Sequence, residues 1–269
     1  MMGADDLLLA IDVGNTQTLA GLYDRSAGTE ASDSGLVVSW RISTVPERTT
    51  DELASVFSGL FTVADVELES ITGLAVAAGV PRVKASLQEF ANRYFDFEPV
   101  VIGPGVRTGM PILYDNPKEV GADRIANSIG AYELYGGPAV VVDFGTGNNY
   151  DVVSAGGEFI GGAISPGIEV SMDALTGRAA ALASIELVEP RGVIGKSTTE
   201  ALQSGALYGF AASVDGMVDR FQEELGGNAV VVATGGLAPV IAPVASCIDH
   251  VDANLTLHGL RIVHARNMT

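Results

Sequence analysis

Two apolar runs in this chain end the same way: residues 7–16 read LLLAIDVGNT and residues 139–148 read AVVVDFGTGN. Each run is long enough for one buried strand, and the glycine that follows the Asp lets the backbone turn tightly and approach a ligand. Backbone N–H groups in such a turn can cradle phosphate oxygens. The carboxylates of Asp12 and Asp143, at the strand ends, can hold a hydrated cation against those phosphates. A third stretch, AVVVATGGLA over 229–238, is again a strand running into glycines. One such copy is an ordinary strand and turn. Three in register, two of them with an Asp, point to a phosphate clamp duplicated on two halves of one chain.

Phosphate chemistry on an acceptor also needs a base, and YDNPKEVGADR over 114–124 offers one. Pro117 and Gly121 fix a loop, and Asp123 falls near a helix N-terminus, where the helix dipole favours a negative charge and a general base can stand. Arg124 beside it can pair with a substrate carboxylate or with phosphate. Spacing alone leaves a second reading open, in which Asp123 is a helix N-cap and Arg124 a solvated neighbour. Two other nucleotide signatures fail. PRGVIGKS over 190–197 has Pro190 where a Walker A loop needs its first glycine, and Gly145-Thr146-Gly147 lacks the third glycine of a dinucleotide fingerprint.

Strands are predicted at 7–13, 18–23, 36–42, 71–77, 99–102, 139–143, 149–154, 158–164, 229–233 and 248–251. Helical patterns alternate with them, which predicts an α/β architecture with partly parallel sheets. One helix is expected from Asp51 to Leu60, introduced by Thr49-Thr50-Asp51 and broken near Gly59. Another starts between Pro117 and Asp123 and runs to Gly136-Gly137-Pro138. That stop is also the expected boundary between domains of 1–135 and 136–269. The last long helix begins at Thr198 or Thr199, turns Leu202, Leu207, Phe210, Val214, Met217, Phe221 and Leu225 inward, and ends at Gly226-Gly227.

The 269 residues are 47% apolar and 18% charged, ample for a buried core or two modest domains. A net charge of −18, with no cluster among the 15 Lys and Arg, argues against nucleic acid or an anionic membrane as partner. The single cysteine, Cys247, excludes an intrachain disulfide and fits a reducing compartment. The start MMGADDLLLAID has no basic region and no run approaches a membrane span, so the chain reads as cytoplasmic. His250, His258 and His264 lack metal-ligand spacing.

Taken together, DVGNT at 12–16, GPGVRTG at 103–109, YDNPKEVGADRI at 114–125, DFGT at 143–146, GGAISPGI at 161–168, IGKSTTEALQSG at 194–205 and TGGLAP at 234–239 resemble type III pantothenate kinases in order and spacing. The resemblance runs from about Leu7 to Asn267. It implies an α/β fold of two ribonuclease-H-like, actin-like ATPase domains with a nucleotide cleft between them. It further implies ATP-dependent phosphorylation of the terminal hydroxyl of pantothenate, the first step toward coenzyme A, with Mg²⁺ and a monovalent cation, K⁺ or NH₄⁺. By the same resemblance Asp123 is the catalytic base, and Tyr114, Gly121, Ala122 and Arg124 line the pantothenate pocket. Asp12, Gly14, Asn15 and Thr16 match the first phosphate motif, with Asp12 near Mg²⁺. Gly145 and Thr146 match the second, where Asp143 helps bind the monovalent cation, and Gly235 and Gly236 match the adenosine side. Thr198 matches a residue that reaches the substrate pocket of a partner subunit, which implies a homodimer with shared active sites. The chain departs from the family's usual pattern at Gly147-Asn148-Asn149, where a small residue and two hydroxyl residues are common, at Ala77-Ala78-Gly79, and at Ala183. A relative that binds nucleotide or pantothenate without turnover, and a kinase for another small hydroxyl substrate, stay open beside the main reading.

Overall fold

All ten predicted strands form, in two five-stranded sheets with the same order of pairing. The computed structural model describes residues 6–179 and 181–268. The chain divides into two compact units: residues up to Leu134 together with those from Asn254 onward, and Tyr135–Ala253.

In the first unit the chain makes β1 (Leu7–Val13), β2 (Gln17–Asp24), β3 (Leu36–Ser43), α1 (Thr50–Val63), β4 (Ile71–Ala78), α2 (Pro81–Tyr94), β5 (Val100–Val101) and α3 (Ala122–Tyr135). The sheet order is β3-β2-β1-β4-β5, with β1, β2 and β3 antiparallel and β4 and β5 parallel to β1. β1 is central and buried on both faces, which is why it reads as an unbroken apolar run. Leu9, Ile11, Leu22 and Val76 share a core with Phe57 of α1 and Phe90 of α2, whose rings stack with centroids 5.6 Å apart. A capping box between Thr49 and Glu52 starts α1. The helix then runs three residues past the expected stop, to Val63, with Phe57 and Phe61 on its buried face holding it across Gly59.

The second unit holds β6 (Ala139–Phe144), β7 (Gly147–Val153), β8 (Phe159–Pro166), α4 (Ile168–Arg178), α5 (Thr198–Leu225), β9 (Val230–Thr234), α6 (Ala238–Ile241) and β10 (His250–Val251). Its sheet is β10-β9-β6-β7-β8, again a three-stranded antiparallel meander extended by parallel strands. α5 starts at the expected Thr198 behind its N-cap, Ser197, and ends at Gly226 in the left-handed conformation. Leu207 and Val214 enter the core fully, with Phe210, Met217, Phe221 and Leu225 packed at its margin.

One further helix, α7 (Leu255–Asn267), returns to the first unit and packs on β1, β2 and β4. The expected boundary had assigned this stretch to the second half, with no helix in it. The reason is physical: all ten residues from Leu255 to His264 are buried, so the helix has no polar face and shows no one-sided stripe. Its polar residues are absorbed individually. Arg261 donates to the carbonyls of Ser34 and Gly28 and lies over the Tyr23 ring, 5.0 Å from its centre. His264 fits because Gly73 of β4 leaves room, where a Cβ would stand 2.6 Å from Nε2. The closest contact is with α3: a Cβ on Gly259 would lie 1.9 Å from the carbonyl oxygen of Ala126. Two helix backbones therefore touch, which only glycine permits.

Gly259→Ala is expected to destabilise the protein by about 3 kcal/mol, the upper range for overpacking, because a backbone atom must yield rather than a side chain. Denaturant unfolding measures it. Burial also holds His264 neutral, lowering its pKa to about 4, with Arg25 adding to the effect. An unfolded chain takes up that proton near the ordinary histidine value, so stability present above about pH 6.5 is lost as pH falls through about 4. Unfolding followed across that window should show a shallower loss for His264→Gln than for the native chain.

Candidate active site

Asp12 is the penultimate residue of β1, paired across the sheet with Leu19 and Ala77. The turn that follows is tied from outside: Gly14 N–H donates to the Gln17 carbonyl at 3.0 Å, and Thr44 Oγ1 donates to the Gly14 carbonyl at 2.8 Å. Thr44 N–H also donates to the Thr16 carbonyl at 2.9 Å. Asn15 and Thr16 stand exposed at the tip. The first clamp is thus a tight, braced turn at a strand end.

Asp123 is the second residue of α3, inside its first turn, so it is not an N-cap. Pro117–Glu119 forms a separate 3₁₀ turn, capped by Asn116, and the helix proper waits until Ala122. Gly121 accepts the N–H of Ile125 at 3.1 Å, and a Cβ at position 121 would sit 2.4 Å from Asp123 Oδ1. The glycine therefore clears the space around the carboxylate. Arg124 is 7% exposed, which removes the solvated-neighbour reading. Tyr114 is half-buried before the 3₁₀ turn.

Sequence reasoning missed what holds the preceding GPGVRTG segment. Arg107 N–H donates to Asn267 Oδ1 at 3.1 Å, and Asn267 Nδ2 returns a bond to the Arg107 carbonyl at 2.9 Å. Arg266 donates to the Thr108 carbonyl at 2.5 Å and pairs with Glu133 of α3 at 2.6 Å. The last turn of α7 thus fastens this loop and α3 together. Only the cationic end of a helix was there to find, and the helix itself was hidden.

In the second unit Asp143, Gly145, Thr146 and Gly235 come together. A Cβ on Gly235, whose φ is +91°, would stand 2.5 Å from Asp143 Oδ1 and 2.6 Å from the Phe144 carbonyl oxygen. Gly167, the residue before α4, donates to the Thr146 carbonyl at 3.0 Å and leaves no room for a side chain, with Gly145 and Thr146 oxygens 2.4 Å from where a Cβ would be. No side chain caps α4, so its first-turn N–H groups begin beside the Gly145-Thr146 turn without one. Thr198 is exposed at the start of α5, where Glu200 accepts from Lys196 N–H at 2.9 Å and from Arg191 Nε at 2.5 Å. Gly236 has nothing packed where its Cβ would be. Burial, helped by Asp215, pushes the Cys247 thiol up to about 12.

A family model described as type III pantothenate kinase matches residues 8–220. The type III pantothenate kinase of Moorella thermoacetica is 49% identical over 97% of this chain and 100% of its own length, and that of Streptomyces coelicolor is 51% identical over 98% and 99%. This chain belongs to the type III pantothenate kinase family. Among solved structures, a Baf family transcriptional activator from Campylobacter jejuni aligns with TM-score 0.59 at 18% identity, covering 97% of this chain and 98% of that one. An activator of 2-hydroxyisocaproyl-CoA dehydratase from Clostridium difficile aligns with TM-score 0.52 at 12% identity, covering 97% and 93%. Those likenesses speak for the fold alone, and with the two matching sheets they establish two ribonuclease-H-like domains.

The departure from the usual type III pantothenate kinase pattern at Gly147-Asn148-Asn149 divides across the sheet. Asn149 pairs with Asp143 in the ladder, and directly opposed residues share a face, so Asn149 stands beside the Asp143 carboxylate. Asn148 points to the other face, is 1% exposed, and neither end of its amide has a hydrogen-bond partner among the described residues. Of the two amides, only that of Asn149 therefore lies on the Asp143 face. Gly147 is crowded, with its would-be Cβ 3.2 Å from the Ser165 carbonyl oxygen. Asn148→Val should stabilise the protein by about 1–2 kcal/mol, by removing an unpaired buried amide and putting a β-branched residue in a strand. A thermal midpoint no higher than the native one would mean that the amide is satisfied.

Proposed function

We propose that this chain transfers the γ-phosphoryl group of ATP to the terminal hydroxyl of pantothenate, the first step of coenzyme A biosynthesis, with Asp123 as the general base. Near 50% identity to pantothenate kinases over almost the whole chain carries the reading. The placement of Asp123 in the first turn of α3, with Gly121 clearing its approach, supports the residue's role.

The Asp123 carboxylate accepts the hydroxyl proton as the pantothenate oxygen attacks the γ-phosphorus in line, and the bond from that phosphorus to the β–γ bridging oxygen breaks to release ADP. Arg124 meets the substrate's anionic end, and Tyr114, Gly121 and Ala122 line the remainder. The N–H groups around Gly14, Asn15 and Thr16, and around Gly145 and Thr146, take phosphate oxygens, with Gly235 and Gly236 on the adenosine side. Hard oxygen donors at strand ends suit a cation that comes with phosphate. Mg²⁺ would be held by Asp12, and when bound it neutralises charge on the phosphate oxygens. Asp143 and its neighbour Asn149 would hold the monovalent cation, K⁺ or NH₄⁺.

The protein acts as a homodimer in which Thr198 completes its partner's pantothenate site. Val193 and Ile194, 66% and 85% exposed just ahead of Thr198, are the kind of apolar surface that a second copy covers. Among the described residues no helix is long and apolar enough to cross a membrane.

Asp123→Asn should lower kcat for phosphopantothenate formation by ~10²–10⁴ while ATP binding persists, since the amide keeps the shape and cannot take the proton. Near-native turnover would remove Asp123 from the role. Mixing Asp123→Asn subunits with Thr198→Ala subunits should restore part of the activity that each lacks alone. No recovery after demonstrated subunit exchange would place Thr198 in its own subunit's site or outside any site.

A further inference from the structure

The segment from Met110 to Val120 in the first unit carries Tyr114 and leads through Gly121 into the start of α3 at Ala122 and Asp123. Met110 and Val120 are buried, and no residue between them is. The hydrogen bonds of the Asn116 side chain are local, to Lys118 and Glu119. The path of the segment is therefore set chiefly at its two ends. At the far end Ile125 N–H closes the first turn of α3 on the Gly121 carbonyl. At the near end α7 supplies the anchor. Asn267 holds both backbone groups of Arg107, Arg266 holds the Thr108 carbonyl, and Met110 N–H donates to Thr108 Oγ1 at 3.3 Å. The Arg266 guanidinium lies against Gly109, where a Cβ would stand 2.8 Å from Cζ and Nη1 and 3.0 Å from Nε. Gly109 also has a φ of +72°, a left-handed backbone that a side chain would strain. The other edge of the guanidinium meets Glu133 of α3 at 2.6 Å. One planar fork thus joins this loop to the helix that carries Asp123.

The phosphate turn at Gly14–Thr16 has its own brace in Thr44. Loosening residues 107–110 leaves that brace in place and releases the near end of the Tyr114 segment. We propose that Arg266 is a positioning residue for the acceptor: seated on Gly109, it sets the path of the Tyr114 segment and through it the affinity for pantothenate, with no part in nucleotide binding. The inference rests on the reading above that Tyr114 and Gly121 line the acceptor pocket. Two requirements coincide at position 109, the left-handed dihedral and the bare face on which the guanidinium lies, so the glycine and the arginine form one device.

Steady-state kinetics of phosphopantothenate formation by the full chain, with each substrate varied in turn, test this. In Arg266→Ala the KM for pantothenate should rise about tenfold, inside the ~10² that a misplacement of about 1 Å can cost. The KM for ATP should stay within about twofold of the native value. A residue that only stabilises the fold would instead lower the active fraction, reducing kcat and leaving both KM values alone. The Arg266 side chain is 31% exposed, so its truncation opens onto water and the fold should persist by circular dichroism. Gly109→Ala keeps the arginine and removes its seat, and should show the same split between the two KM values. The two changes together should be no worse than the more severe one, because each removes the same contact. An unchanged pantothenate KM in Arg266→Ala, equal rises in both KM values, or fully additive effects of the two changes would overturn the inference while native turnover keeps the kinase reading. Calorimetry that finds weaker pantothenate binding in Arg266→Ala, with no phosphopantothenate made by the native protein, would do the reverse.

Discussion

The first unit hinges on a contact between two helix backbones. Gly259 of α7 lies directly on the Ala126 carbonyl of α3, and Gly130 of α3 lies similarly close to the Leu255 carbonyl, 2.7 Å from where its Cβ would be. Such proximity lets dispersion act over the full length of the crossing, and any added methyl would force the helices apart. α3 carries Asp123 in its first turn, and α7 carries the Arg266 and Asn267 that hold residues 107 and 108. The position of Asp123 and the shape of the loop over residues 107 and 108 therefore follow from one small-residue seam.

The second unit solves a different problem by similar means. On the phosphotransfer reading proposed above, an acidic chain of net charge −18 must present a surface that welcomes a triphosphate. It does so with backbone rather than with lysine or arginine: a turn at Gly145-Thr146, an uncapped helix start after Gly167, and Gly235 pressed on the carboxylate of Asp143. Fixed N–H dipoles act locally and are little affected by the field of distant surface carboxylates, which water and salt screen. Each glycine stands where two backbones approach within contact distance, so the site is built from the absence of side chains.

Much of this was legible in the residues. The strands were, because buried β1 and β6 are unbroken apolar runs and the edge strands alternate, and so was the duplication, because both clamps end in Asp-x-Gly. The fourteen-residue α2 carries Val83, Leu87, Phe90 and Ala91 at helical spacing, and that amphipathic signal was present though not drawn upon. α7 was not legible, since burial on every side erases the contrast on which periodicity depends. Nor could spacing choose between base and cap for Asp123. Excluding the cap needed the helix start, which falls at Ala122. The opposite facing of Asn148 and Asn149 was implicit in strand alternation once the register was fixed, and the register came from the pairing with β6.

The bonds between residues 107 and 267 span 160 positions of chain. A ribosome makes the β1–β5 sheet first and the helix that covers it last, after the whole of the second unit. Until then β1 and β4 present apolar side chains with nothing on one face, and the loop ahead of α3 has no anchor. The second unit, contiguous from Tyr135 to Ala253, has no such wait. The first unit thus becomes complete only when the last helix has been made, and the loop at residues 107 and 108 gains its anchor only then.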